Sequence, residues 1–208
     1  MGQAAAVIHQ IQPTTLAERP DFYVIGDIVK PGSRVLDLGC GEGELLAWLI
    51  ENKRVMARGV EISSAQVRHA IARGVSAYQG DIDEGLADYP DKAFDYVILS
   101  QTLQETRAPL NVLREMLRVG RRAIVSFPNF GHWSVRLNMA LNGTAPKTKL
   151  FPYNWYNSPN IHFLSINDFE ELCRDFDLPI ERRYFLAGNT RIPVLPNLLA
   201  QTAVFLLG

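Results

Sequence analysis

Only two cysteines, Cys40 and Cys173, occur in the 208 residues. That is too few for a disulfide framework or for a metal centre built mainly from thiolates, so both are expected to be reduced thiols. Charge of one sign is equally scarce: 21 basic residues face 22 acidic ones, for a net charge of −1. So balanced a field implies neither nucleic acid nor an anionic membrane surface as the main partner. Nowhere do about 18 apolar residues run uninterrupted, so no membrane-spanning helix is expected. The short apolar stretch Ala4 to Ile8 has no basic residues before it, unlike a secretory leader. These absences point to the cytoplasm. Also missing is any G-x-S-x-G pentapeptide, the turn on which acyltransferases of the α/β-hydrolase type mount their nucleophile.

What the chain does have is apolar content, 47% of residues, enough for one domain with a sizeable core. Residues 1–18 lack periodicity and read as a loose arm, followed by a single domain over 19–208. Phe22, Ile25, Ile28 and Val29 form one helical stripe, ended by Pro31-Gly32. From there short apolar strands alternate with helical patterns: strand 34–38, helix 43–52, strand 55–60, helix 63–73, strand 75–79, strand 94–99, helix 109–118, strand 122–127. Such alternation predicts a parallel α/β sheet of five strands with helices on both faces. Ser165 to Asp168 resembles a capping box opening a helix that ends near Asp177. Strands follow at 180–187 and 201–207, joined by a connection too short for a helical crossover, so the final pair is expected to be antiparallel.

The most informative stretch is Val35 to Gly43, a buried-strand pattern that carries Asp37 into a loop with glycine at 39, 41 and 43. A glycine-rich turn between strand and helix lets backbone approach a ligand, which in dinucleotide enzymes is an anionic pyrophosphate. Here the third glycine comes one residue too early for G-x-G-x-x-G, whose last position is held by Glu44. The spacing is D-x-G-x-G-x-G. A carboxylate before the first glycine, with Glu42 and Glu44 behind it, repels a pyrophosphate and suits a cationic ligand. S-adenosylmethionine, with its ammonium and sulfonium, is such a ligand. Glu61 ends the second strand, where an acid can accept both hydroxyls of a ribose. Asp81 follows the third strand, placed to accept from an adenine amino group, with Ile62 and Ile82 as apolar faces for the ring.

With glycine loop, second-strand acid and third-strand aspartate in order, residues 34–127 resemble a class I S-adenosylmethionine-dependent methyltransferase. The resemblance implies a Rossmann-like, mostly parallel seven-stranded sheet whose last strand is antiparallel. The chain from about Arg19 onward is more specifically similar to the methionine-biosynthesis MetW family, through Val35 to Leu46, Ser126-Phe-Pro-Asn-Phe-Gly-His-Trp133, Phe151-Pro-Tyr-Asn-Trp-Tyr156 and Pro159-Asn-Ile-His-Phe163. That similarity implies S-adenosylmethionine or S-adenosylhomocysteine as ligand and homoserine O-acyltransferase as partner. The resemblance carries over Asp37, Gly39 and Gly41 to the methionyl part, Glu61 to ribose and Asp81 with Ile82 to adenine; with Cys40, Ile62, Ser100 and Gln101 these make the expected cofactor-lining set.

No catalytic base carries over. After the fourth strand, where small-molecule methyltransferases often place a histidine, stand Gln101 and Gln104, neither of which is a base near neutral pH. The remaining candidates are Glu105, which also reads as an ordinary carboxylate at a helix start, and His132, whose ordinary pKa suits proton transfer. Residues 128–163 hold seven of the twenty aromatic residues and little periodicity beyond a helix at 132–141, and read as a lid or substrate wall. His162, within it, reads as a packed structural histidine. Residues 191–199 form an apolar loop around Pro193 and Pro196, a candidate protein interface whose plain alternative is packing on the chain's own sheet. Two functions follow: a cofactor-binding accessory or regulatory partner of homoserine O-acyltransferase, or an active methyltransferase on an unknown small molecule. Self-association as a homodimer stays open.

Overall fold

The computed structural model describes residues 19–148 and 150–208. The expected arm at 1–18 lies outside the described residues. Helix α1 (Pro20–Ile28) begins with proline at its first turn, where a missing N–H costs nothing. Then come β1 (Arg34–Leu38), α2 (Glu44–Lys53), β2 (Met56–Glu61), α3 (Ser64–Ala72), β3 (Ser76–Gln79), β4 (Phe94–Ser100), α4 (Pro109–Val119) and β5 (Gly120–Pro128). The last third adds α5 (Trp133–Asn142), α6 (Ile166–Asp175), β6 (Ile180–Ala187), β7 (Thr190–Arg191), α7 (Pro196–Leu199) and β8 (Thr202–Leu207).

These strands form one sheet in the order β3-β2-β1-β4-β5-β8-β6-β7. Neighbours β1 to β5 pair in parallel, whereas β8 runs antiparallel to both β5 and β6. The seven expected strands are present with β8 reversed as expected, and β7 adds a two-residue hairpin partner to β6. A two-residue ladder carries no periodicity, so the sequence pattern does not reveal it.

Alternation along each strand sends side chains to opposite faces. Leu36, Leu38, Val97, Leu99, Val125 and Phe127 pack under Leu113 and Met116 of α4 and Phe169 of α6. Val35, Tyr96, Ile98 and Ile124 face the other way, onto Phe22 and Ile25 of α1 and Leu46 and Leu49 of α2. Both faces of β1 and β4 are therefore dry, as a parallel sheet requires. The chain crosses from β3 at one edge back to β4 beside β1, which makes the β1–β4 boundary a topological switch point. Loops leaving the carboxyl ends of two adjacent strands diverge there and open a crevice. Among the described residues no helix is long and apolar enough to cross a membrane.

The aromatic segment is tied down at its ends and open in the middle. Phe130 packs against Phe151 and Phe163, at centroid separations of 5.1 and 4.7 Å. The Ile161 and His162 N–H groups both donate to the Gln104 carbonyl, at 2.8 and 3.0 Å. Between these ties Trp155 and Tyr156 are 79% and 70% exposed.

Candidate functional site

Two cavities share Arg19, Gly39, Gly41, Gln66 and Ser100 and so form one crevice at the switch point. The smaller, about 290 Å³, reaches Asp37, Cys40 and Glu42; the larger, about 340 Å³, runs past Glu61, Ile62, Asp81 and Ile82 to Gln101, Thr102 and Glu105. All ten residues of the expected cofactor set line one or both. They come from the carboxyl ends of β1, β2, β3 and β4, elements whose order the switch point brings together.

The glycine loop holds a conformation only glycine adopts freely: φ is +72° at Gly39 and +56° at Gly41. At Gly39 a Cβ would also stand 2.8 Å from the Thr102 side chain, so the loops after β1 and β4 touch there. The loop's donors turn inward. Gly39 and Cys40 N–H both donate to the Val60 carbonyl, Gly43 N–H to that of Cys40, and Gly41 N–H to Glu61 Oε2 at 3.0 Å. These four N–H groups are thus spent within the fold rather than offered to a phosphate.

Asp37 lies at the end of β1, 3% exposed, with Oδ1 buried and without a hydrogen-bond partner. Burial pushes its carboxyl up to about 8, with Arg19 opposing and the negative charges of Glu61 and Asp21 adding to the rise. A buried acceptor with nothing to accept from is costly. It is satisfied at once by an ammonium donor.

Across the same crevice stands Arg19, which no sequence motif marks. Its guanidinium donates to both Asp21 carboxylate oxygens at 3.1 and 3.0 Å, to Ser100 Oγ at 2.7 Å, and lies 4.2 Å from the Phe22 ring centroid. Asp21, 1% exposed, also accepts from Ser100 and Ser126 hydroxyls at 2.7 and 2.9 Å. Burial alone would raise its carboxyl, but the Arg19 charge and these hydrogen bonds outweigh it and hold the group below the ordinary range. Among the described residues Arg19 is the one cationic side chain lining either cavity, and it is placed to meet a carboxylate.

Glu61 accepts from the N–H groups of Gly41 and Ser63, one on each oxygen, which orients the carboxylate and leaves lone pairs on both for a diol. Asp81 Oδ1 accepts from the Asp83 N–H at 2.9 Å and Oδ2 from Arg107 at 2.6 Å. Ile62, 64% exposed, presents apolar surface beside it. Gln101 takes φ +56°, a conformation unusual for a residue with a Cβ, pinned by its N–H donating to the Ser126 carbonyl at 2.9 Å. The Cys40 thiol is pushed up to about 12 by burial and the charges of Asp37 and Glu61, and stays neutral.

The two candidate bases separate. Glu105 lines the larger cavity, its carboxyl raised by burial and by the Glu61 charge. His132 lines neither cavity. It is the N-cap of α5, its Nδ1 accepting from the Ser134 N–H at 3.3 Å and lying 2.8 Å from Ser134 Oγ, and burial lowers its pKa. No described residue of 128–163 lines either cavity, so the aromatic segment stands beside the crevice rather than in its wall. The 126–133 string has structural work instead. Ser126 supports Asp21, Asn129 bridges the carbonyls of Asn197 and Ala200 to the N–H groups of Gly131 and Ile166, and a Cβ on Gly131 would meet Asn197 Oδ1 at 2.7 Å.

The sheet order, the glycine loop at the switch point and the acids ending successive strands define a protein of the class I methyltransferase fold. A structure of an S-adenosylmethionine-dependent methyltransferase from Mesorhizobium loti superposes with a TM-score of 0.68 over 92% of this chain and 97% of that one, at 18% identity. The [4+2]-cyclase SpnF superposes equally well in kind, with a TM-score of 0.65 over 93% and 81% at 17% identity. Within that fold the chain belongs to the MetW family: the family of methionine biosynthesis protein MetW matches residues 19–207. The bifunctional methionine biosynthesis protein MetXA/MetW of Rhodopirellula baltica is 36% identical over 209 residues, 94% of this chain and 34% of that protein. This chain thus spans about a third of that relative's length.

Proposed function

We propose that the chain binds S-adenosylmethionine in this crevice and acts in methionine biosynthesis as an accessory, regulatory partner of a homoserine O-acyltransferase. The observation that carries the ligand is the buried, unpartnered Oδ1 of Asp37. It fits the ammonium of the methionyl group, Arg19 fits its carboxylate, Glu61 the ribose hydroxyls, and Asp81 with Ile62 and Ile82 the adenine. Support for the partner comes from the relative in which MetXA and MetW share one chain. That no histidine among the described residues lines either cavity, and that the sequence has no nucleophile elbow, favours regulation over chemistry by this chain itself.

The test is to titrate the protein with S-adenosylmethionine by calorimetry and then to assay acyl transfer by the acyltransferase, with and without this chain, as the cofactor is varied. Asp37→Asn is expected to weaken binding at least a hundredfold and to remove any cofactor dependence of acyl transfer. Unchanged binding by that variant would sink the reading. One observation favours the alternative of an active methyltransferase: Glu105 faces the larger cavity with its carboxyl raised. Release of S-adenosylhomocysteine from a metabolite extract, lost in Glu105→Gln, would establish it.

A further inference from the structure

Taking the crevice as a cofactor site, as above, its charges say which form of the ligand it reports. Carboxylates crowd its lining, but most already have a cation. Asp81 and Asp83 are paired with Arg107 at 2.6 and 3.3 Å. Glu42 and Glu44 share Arg73 at 2.8 and 3.6 Å, and Arg19 is paired with Asp21 at 3.0 Å. Among the described residues Asp37, Glu61 and Glu105 have no cationic partner. One of them, Asp37, is the buried acid whose Oδ1 has no hydrogen bond at all.

S-adenosylmethionine brings an ammonium, a carboxylate and a sulfonium, for a net charge of +1, whereas S-adenosylhomocysteine brings only the first two and is neutral overall. The ammonium matches Asp37 and the carboxylate matches Arg19, and both ligands gain equally from them. Only the sulfonium distinguishes the two. Glu61 and Glu105 line the same cavity of about 340 Å³, small enough that a cation inside it feels both within the ~8 Å over which salt screens charge. The two acids repel one another across that space, an effect that adds to burial in raising the Glu105 carboxyl. A positive charge between them removes the repulsion, and the part-buried walls strengthen the attraction relative to water.

We infer that this crevice selects for the sulfonium charge, binding S-adenosylmethionine in preference to S-adenosylhomocysteine, with Glu105 as the specificity-determining residue. The signal is then the methyl-bearing cofactor itself rather than its demethylated product. Discrimination of this kind uses charge, which separates the ligands; shape separates them by one methyl group only.

Calorimetric titration with S-adenosylmethionine, S-adenosylhomocysteine and sinefungin, whose amine carries a positive charge in the sulfonium's place, tests the inference. Both cationic ligands are expected to bind at least tenfold more tightly than S-adenosylhomocysteine. Glu105→Gln, with its melting temperature measured to verify folding, is expected to shrink that ratio at least threefold while S-adenosylhomocysteine affinity is kept. Equal affinities, or tighter S-adenosylhomocysteine, overturn the inference and leave the cofactor reading standing. An unchanged ratio in Glu105→Gln overturns the assignment to that residue. Failure of all three ligands to bind overturns the cofactor reading and this inference with it.

Discussion

At the scale of single residues, Asp37 is a liability to the empty protein and, in the proposed function, an asset to the occupied one. Its carboxyl, ordinarily at 3.8, is pushed up to about 8 in the fold. Below the ordinary value both folded and unfolded chains hold the proton, and nothing is lost. As pH rises from there towards about 8 the unfolded chain releases the proton while the folded chain keeps it, so the ligand-free protein loses stability across that window. Around the carboxyl stand Arg19, just before α1, Asp21 from α1, Glu61 from β2 and the neutral Cys40 thiol of its own loop. Asp37→Asn is therefore expected to melt higher than wild type at about pH 8 when empty, yet to gain nothing from S-adenosylmethionine. In the wild type a bound ammonium favours the ionised acid, so binding releases a proton and apparent affinity climbs between about pH 6 and 8. Calorimetry in buffers of different ionisation heat reads that proton directly; affinity flat with pH would contradict it.

Arg19 separates binding from stability in a second way. Arg19→Ala removes the cation from buried Asp21 and so destabilises the fold, by the general cost of leaving a buried charge unpaired. It is also expected to weaken S-adenosylmethionine at least tenfold while affecting the decarboxylated analogue much less. Equal losses for both ligands would mean that Arg19 acts only through the fold. Neither Arg19 nor Asp21 is legible in the sequence, and the reason is distance along the chain. The hydroxyls that hold Asp21 come from Ser100 and Ser126, 79 and 105 positions away. Asp37, Glu61 and Asp81, by contrast, each lie at or just past the end of a strand that local pattern reveals.

At the scale of elements, the strongly periodic helices and buried strands were readable because hydrophobic spacing alone defines them. The capping box of α6 is present in full, with Ser165 N–H donating to Asp168 Oδ2 at 2.8 Å and Asp168 N–H returning to Ser165 Oγ at 3.4 Å. The short α7 and the two-residue β7 were not readable, since neither is long enough to show a period. The role of His132 was not readable either. A histidine before a tryptophan suggests chemistry, whereas the ring caps a helix. His132→Ala is accordingly expected to cost about 1 kcal/mol, as a lost N-cap does, and to leave S-adenosylmethionine affinity unchanged. Chemical denaturation and calorimetry on one preparation check both halves. A variant of wild-type stability with lost binding would reverse the assignment.

At the scale of the whole molecule, the proposed cofactor crevice and the apolar surface are different regions. Val194 and Leu195 are 64% and 62% exposed at the tip of the loop between β7 and α7, beyond the chain's own core. Leu195→Glu is thus expected to leave the melting temperature within about 1 °C of wild type, as surface changes do, and to disrupt a complex with the acyltransferase. Co-purification and thermal denaturation together decide it, because a large loss of stability would mean that the loop packs on its own sheet after all. The Trp155 and Tyr156 surface is a separate exposed patch, and it is joined through the Gln104 carbonyl to the loop that supplies Gln101 and Glu105 to the crevice.

Linkage makes the regulatory account testable in one titration. If the cofactor changes how this chain engages homoserine O-acyltransferase, the acyltransferase must change the cofactor's affinity by the same factor. The decisive measurement is the dissociation constant of S-adenosylmethionine by calorimetry, alone and with saturating acyltransferase. A change of about fivefold or more, in the range typical of coupled sites, is the predicted result. Identical constants in the two titrations would contradict the account.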